Sequence, residues 1–315
     1  MKVLANDGLD AAGKKLLQDS GFEVFTDKIS QEELPSRISE YDVLVVRSAT
    51  KVNADVLNAS HLKLVARAGV GTDNIDLKCA ANLGIPVVNT PDAATRSVAE
   101  LVLAHLFSIA RYLHESNREM PIRGGAGFNE LKKKFSKGFE LKGKKIGILG
   151  FGRIGQELAR MSISLGMEVL VYDHKLREFS LDIEFHPVYR LPAAHVVIQS
   201  ITLEEVLNKA DFVSVHTPGS ERLLGEAEFG MMRQGTCLIN CARGGVVDEE
   251  ALLVALDSGK IAFSGIDVFE KEPPVDERLL KHPAVSLSPH IGASTREGQE
   301  RTGIEVAKRI IDHFN

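Results

Sequence analysis

Three reactive side chains follow apolar runs in the last third of this 315-residue chain. In "TCLINCARGGVVDEEAL" the run leads into Arg243-Gly244-Gly245, in "FSGIDVFEKEPP" through Asp267 to Glu272, and in "AVSLSPHIGAST" into His290. A guanidinium holds a carboxylate and polarises a neighbouring oxygen, while an imidazole moves a hydroxyl proton. With a partner to take hydride from C2, this set is what oxidation of a 2-hydroxy acid requires. His216, in "SVHTP", also follows an apolar strand and is a candidate for lining a cofactor cleft. Taken singly, each has a plainer reading: a solvated arginine, a loop acid, a structural histidine. Their joint appearance downstream of a dinucleotide-binding pattern favours the chemical one.

That pattern is "KKIGILGFGRIGQELARMSISLGMEVLVYD", residues 144–173. An apolar strand runs into Gly150-Phe151-Gly152-Arg153-Ile154-Gly155, and a helix follows with Ile154, Leu158, Met161 and Leu165 on one face. Gly150 permits the tight turn, Gly152 lets the backbone approach a pyrophosphate, and Gly155 allows close packing of helix on strand. The helix N-terminus offers free N–H groups and a positive dipole end to phosphate. Asp173 closes the next strand 18 residues after Gly155. A carboxylate there accepts bonds from the adenosine ribose hydroxyls and repels a 2′-phosphate. The expected cofactor is NAD, with Lys175 blunting the selectivity against NADP.

The unit starts almost halfway along the chain, and the residues before it form α/β repeats of their own. Val3–Ala5, Phe22–Phe25, Asp42–Val46, Leu62–Ala66 and Ile85–Val88 read as strands, separated by helical stretches such as Ala11–Gln18 and "NIDLKCAANLG". Continuous apolar strands alternating with helices predict a parallel, doubly wound sheet. "SVAELVLAHLFSIARYL", residues 97–113, is apolar on nearly every side and predicts a bridging helix buried all round, between domains or in a subunit interface. Residues 114–143 are polar and basic and read as a connecting loop. Near the end, Ser294-Thr295-Arg296-Glu297 reads as a capping box, and Ile304, Ala307, Ile311 and Phe314 recur at helical spacing. No strand follows, so this helix is expected to return to the first domain, making the dinucleotide unit an insertion. The expected fold is α/β, with a Rossmann domain over 97–289, bridging helix included, inserted into a flavodoxin-like substrate domain formed by 1–96 and 290–315.

Composition excludes several classes. With 44% hydrophobic and 26% charged residues and a net charge of −5, the chain is an ordinary globular one with no polyanion or membrane as its expected partner. The first residues turn polar too soon for a signal peptide, and no apolar run spans a bilayer. Cys79, Cys237 and Cys241 form no ligand cluster, so no metal site is expected. Reduced thiols fit a cytoplasmic protein.

Over essentially its whole length the chain resembles the D-isomer-specific 2-hydroxyacid dehydrogenases. The matching stretches are "VVRSATKV", "RAGVGTDNID", "VNTPDAATRSVAEL", "GILGFGRIG", "NCARGGVVDEEAL", "DVFEKEPP" and "SPHIGAST". "VRSATKV" with "NCARGGVVDE" points to the branch that oxidises D-3-phosphoglycerate, opening the phosphorylated route to serine. The resemblance implies that Arg243 binds the substrate carboxylate and oxygen, that His290 is the acid/base, and that Glu272 pairs with it. It further implies that the backbone at Val70-Gly71 holds the carboxylate and that Arg47 faces the phosphate. Around NAD the pattern falls on Gly150, Gly152, Arg153, Ile154, Gly155, Asp173, His216, Thr217, Cys241, Arg243, Asp267 and Gly292.

Three features depart from the family pattern. Residues 177–200 are longer and more apolar than expected after their strand. Phe128 stands where relatives usually have Trp, and Lys132-Lys133-Lys134 follows, either helping to neutralise a phosphate or forming a solvated basic run. The chain ends 25 residues after His290, so the regulatory domains of longer members are not expected. Two alternatives stay open: a reductase of glyoxylate, hydroxypyruvate or another small 2-keto acid, and an NAD(H)-sensing corepressor-like binding protein. The expected assembly is a homodimer, formed through the apolar helix from Ser97.

Overall fold

Val43, Leu44, Val45 and Val46 are wholly buried, as an apolar strand covered on both faces must be. Each such side chain contributes about 1.5–3 kcal/mol by leaving water. The computed structural model describes residues 1–219 and 221–315 and shows an α/β protein with parallel sheets. The chain divides into two compact units, Met1–Ser97 with Ala293–Asn315, and Val98–Gly292.

Unit 1 is built on a five-stranded parallel sheet, ordered β2-β1-β3-β4-β5. Its strands are β1 (Lys2–Ala5), β2 (Glu23–Phe25), β3 (Val43–Val46), β4 (Leu64–Arg67) and β5 (Val87–Asn89). The C-terminal helix Arg296–Phe314 packs against the helix Ala11–Asp19 at a glycine pair. A Cβ on Gly13 would stand 2.3 Å from the Gly303 carbonyl oxygen, so larger residues there would force the helices apart. The expected capping box is not what starts this helix. Thr295 is the N-cap, its Oγ1 accepting the Gly298 N–H at 2.9 Å and meeting Ser97 Oγ at 2.7 Å. The box was read one residue too early, and the residue three beyond the true cap is glycine.

Unit 2 holds a six-stranded sheet, ordered β13-β12-β11-β10-β6-β7, with every pairing parallel. Its strands are β6 (Lys145–Leu149), β7 (Glu168–Tyr172), β10 (Phe212–Val215), β11 (Thr236–Asn240), β12 (Ile261–Ile266) and β13 (Val285–Leu287). The strand order reverses between β6 and β10, and such switch points are where open α/β sheets bind ligands. Residues 177–200 make an antiparallel hairpin outside the main sheet, β8 (Glu178–Ile183) with β9 (Ala194–Gln199). Phe179, Leu181 and Ile183 bury one face of β8, and Phe179 meets Phe151 edge-on at 4.7 Å between ring centroids.

One expectation for the bridging region needs correction. Residues 114–143 are not a loop but carry the helices Leu113–Arg123 and Phe128–Lys134. Ion pairs rather than an apolar stripe tie these helices together: Lys134 Nζ reaches Glu115 at 3.0 Å and Glu119 at 2.9 Å, and Arg123 reaches Glu119 at 3.1 Å and Glu130 at 2.8 Å. Lys134 is thus already engaged by carboxylates. The helix Thr95–Ala110, in which the chain passes from unit 1 to unit 2, buries one face within the single chain. Val98, Val102, Leu106 and Ile109 are buried, but Phe107 remains 43% exposed. The described residues contain no helix long and apolar enough to cross a membrane.

Candidate active site

The glycine turn has the close approaches that its sequence calls for. Gly150 sits at φ +94°, and a Cβ there would lie 2.7 Å from the His216 carbonyl carbon, so the turn packs directly on the 216–217 segment after β10. A Cβ on Gly155 would lie 2.3 Å from the Gly150 oxygen. Gly152, by contrast, faces open space, with nothing within 4 Å of such a Cβ. It is the N-cap of the helix Arg153–Ser164, and no side chain caps that end. The first-turn N–H groups are left for a ligand's phosphates.

Beside the turn, Asp173 is nearly buried at the end of β7 and braces the loop by accepting the Phe151 N–H on Oδ2 at 3.2 Å. Its buried Oδ1 has no well-directed hydrogen bond, although His174 Nδ1 stands 2.8 Å away and Arg177 Nη2 3.5 Å away. An open acceptor beside an uncapped helix and an unfilled glycine fits a dinucleotide. Arg177 was not singled out in the sequence, where Lys175 drew attention; its place four residues after the acid was the available signal. His216 donates or accepts at Nε2 with Ser214 Oγ, 2.9 Å away, and its buried Nδ1 has no partner. Desolvation lowers its pKa to about 4, so the ring is neutral at physiological pH. Cys241 is buried at the end of β11, and burial pushes its thiol well above the ordinary range.

The segments after β11, β12 and β13 converge within unit 2. Arg243 follows β11, with its carbonyl accepting Asn240 Nδ2 at 2.9 Å and its Nη1 donating to the Ala242 carbonyl at 2.7 Å. The next residue must be small: a Cβ on Gly244 would stand 1.7 Å from the Phe269 carbonyl oxygen. This contact seats the Arg243 segment on the one that carries Glu272. Glu272 accepts the Phe269 N–H on Oε1 at 3.3 Å and pairs through Oε2 with His290 Nδ1 at 2.8 Å. A carboxylate at Nδ1 makes that nitrogen the donor, so the neutral ring keeps Nε2 free to accept a proton.

His290 is held in the left-handed region, φ +55°. For a non-glycine residue this costs about 1–3 kcal/mol and persists only where surrounding contacts over-determine it. Here Asp267 supplies them. Its backbone oxygen accepts the His290 N–H at 2.8 Å, and its carboxylate accepts the N–H of Ile291 at 2.8 Å and of Gly292 at 2.9 Å. These bonds explain why His290–Gly292 belong to unit 2, three residues beyond the boundary expected from sequence.

The remaining predicted residues lie in unit 1, at the carboxyl ends of adjacent strands. Arg47 follows β3; its N–H donates to Asp7 Oδ2 at 2.7 Å and its carbonyl accepts Asn74 Nδ2 at 2.7 Å. Val70 and Gly71 follow β4, and the Val70 carbonyl accepts Asn89 Nδ2 at 2.7 Å. Among the described residues no group of three or more His, Cys, Asp or Glu side chains could hold a metal ion.

Residues 103–292 match the model of a known family, described as D-isomer specific 2-hydroxyacid dehydrogenase, NAD binding domain. The chain is 42% identical over 316 residues to D-3-phosphoglycerate dehydrogenase of Rattus norvegicus, covering 99% of this chain but 56% of the rat protein. It therefore spans little more than half the length of that relative. It is 40% identical over 317 residues to hydroxypyruvate reductase of Thermotoga maritima, covering 98% of this chain and 97% of the other. Among solved structures it is similar to the holo form of D-mandelate dehydrogenase from Rhodotorula graminis, with a TM-score of 0.84, 26% identity, and 98% and 93% of the two chains covered.

Proposed function

Because the chain belongs to the D-isomer specific 2-hydroxyacid dehydrogenases, with a nicotinamide dinucleotide as cofactor, we propose that it oxidises D-3-phosphoglycerate to 3-phosphohydroxypyruvate with NAD. The observation that carries this reading is the His290–Glu272 pair at 2.8 Å, in the same unit as the glycine turn. The turn and the uncapped helix would hold the cofactor's phosphates and Asp173 its ribose, with the segments at His216-Thr217, Cys241, Asp267 and Gly292 beside its nicotinamide half. When bound, NAD would supply the acceptor for the hydride that leaves C2. Arg243 holds the substrate carboxylate and polarises the C2 oxygen, with the Val70-Gly71 backbone as a second anchor. His290 Nε2 removes the hydroxyl proton, and Glu272 stabilises the imidazolium that results. In the reverse direction the imidazolium returns the proton to the oxygen. Arg47 binds the phosphate.

Turnover of a panel of D- and L-2-hydroxy acids with NAD tests the reading; it requires NADH formation from D-3-phosphoglycerate and none from the L-isomers. A second reading has its own support, because the hydroxypyruvate reductase relative is matched over nearly its full length. In that reading the chain reduces a small unphosphorylated 2-keto acid by the same machinery. We also propose a homodimer, supported by Phe107, which stands exposed on the helix Thr95–Ala110.

Two predictions arise here. Asp173→Ala removes both the ribose acceptor and the brace on the Phe151 N–H, so NAD should bind more weakly and the preference for NAD over NADP should narrow. The measurement is kcat/KM for both cofactors. Equal values in the unmodified protein would contradict the role, since Arg177 would then be the dominant charge. Glu272→Gln withdraws the anion beside His290 Nδ1 and destabilises the imidazolium. Oxidation should therefore slow, with kcat falling while KM for the hydroxy acid stays near its unmodified value. An unchanged kcat would make Glu272 a loop acid only.

A further inference from the structure

His105 is 4% exposed on a helix face otherwise made of Val98, Ala99, Val102, Leu106 and Ile109. Both ring nitrogens are bonded, Nδ1 to Ser286 Oγ at 2.9 Å and Nε2 to Ser288 Oγ at 3.0 Å. Ser288 in turn donates to Asp267 Oδ1 at 2.6 Å. A hydroxyl has one proton, and Ser288 spends it on the carboxylate, so it must accept from His105 Nε2–H. The tautomer follows: Nδ1 is an acceptor, and Ser286 donates to it at 2.9 Å in preference to Ser108 Oγ, which stands 3.5 Å away. The bonds form one directed chain, Ser286 to His105 to Ser288 to the Asp267 carboxylate, and each bond polarises the next. Burial lowers the His105 pKa, which favours the neutral ring that this chain needs.

The strand beside the ring is built to receive it. A Cβ on Gly265 of β12 would fall 2.7 Å from His105 Cβ and 2.9 Å from its Cγ. A leucine would fill the helix face without burying a polar ring, which costs free energy unless its bonds are used. Their use is visible at the far end of the chain. Asp267 carries the N–H groups of residues 290–292 and so sets the backbone from which the His290 imidazole projects. From this arrangement we infer that His105 is a positioning residue for the acid/base, holding the Asp267 carboxylate through Ser288. The inference rests on the reading of His290 as acid/base.

The test compares His105→Leu, His105→Gln, Ser288→Ala and the double variant His105→Leu/Ser288→Ala in the full chain, with His290→Ala beside them. His105→Leu should lower kcat about ten- to a hundredfold, the scale lost when a reacting group is displaced by up to an ångström, with KM for the hydroxy acid nearly unchanged. Ser288→Ala should lose about as much, and the double variant no more than either alone. His105→Gln, whose amide can donate to Ser288 and accept from Ser286, should recover most of the rate. A lowered melting temperature with unchanged kcat would make His105 structural and overturn the inference, as would additive losses in the double variant. Should His105→Leu fail to fold, Ser288→Ala and His105→Gln decide alone: wild-type behaviour of the former or an inactive, folded latter contradicts the relay. Full activity in His290→Ala would instead overturn the acid/base reading itself.

Discussion

His290→Ala should lower turnover about 10²–10⁴-fold, the usual worth of a positioned general base, while dinucleotide binding survives. The separation follows from the geometry. Glu272 occupies His290 Nδ1, so only Nε2 remains for the substrate, and alanine offers no replacement. The glycine turn and Asp173 bond to other segments, Gly150 packing on the His216 backbone and Asp173 holding the Phe151 N–H. Alanine also tolerates the φ of +55° poorly and can let the 290–292 segment relax. Asparagine enters that region readily, so His290→Asn separates loss of the base from loss of the loop. Both variants should be equally slow, and both should quench or enhance NADH fluorescence with wild-type affinity. A loss under tenfold would show that another group moves the proton.

Arg47→Ala should lower kcat/KM for D-3-phosphoglycerate or phosphohydroxypyruvate by about 2–3 kcal/mol, the size of hydrogen bonds to a charged group. Activity on hydroxypyruvate should barely change. An arginine fork suits a phosphate better than a single ammonium does, because two N–H groups can meet two oxygens. The root of this side chain is fixed on both sides, by Asp7 at its N–H and by Asn74 at its carbonyl. Asp7 also accepts the N–H of Thr50 at 3.1 Å and its hydroxyl at 2.7 Å, so the whole turn after β3 is braced without the Arg47 guanidinium. Removing the guanidinium should therefore spare the fold, and an equal loss on both substrates would mean that it supports the turn instead.

The parts of this molecule that were legible in the sequence are those whose signal is local. The glycine turn, its strand and its helix are contiguous, and the buried strands are continuous apolar runs that need no distant partner to be read. The helices Leu113–Arg123 and Phe128–Lys134 escaped because they bury only Leu131 and otherwise carry paired charges such as Lys134 with Glu115 and Glu119. Such helices carry no apolar period and look like loop. The β8–β9 hairpin does alternate, with Phe179, Leu181 and Ile183 inward, yet from sequence the stretch stands out only as longer and more apolar than the family pattern. At the site, the residue types Arg243, Glu272 and His290 and the pairing of the last two are legible, but the bonds that seat their segments are not. Asp267 is expected beside the cofactor; nothing local in the sequence shows that its carboxylate also holds the amides of Ile291 and Gly292, 24 and 25 positions on. His105 gave no sign at all, since Ser286 and Ser288 lie 181 and 183 positions away.

A phosphate-bearing D-2-hydroxy acid as substrate is tested most directly by kcat/KM of the unmodified protein with NADH for phosphohydroxypyruvate against hydroxypyruvate. The phosphorylated acid should be preferred by about 30-fold or more, the equivalent of the 2–3 kcal/mol assigned to Arg47. Equal values, or a preference for hydroxypyruvate, would contradict it and leave the chain a reductase of unphosphorylated keto acids.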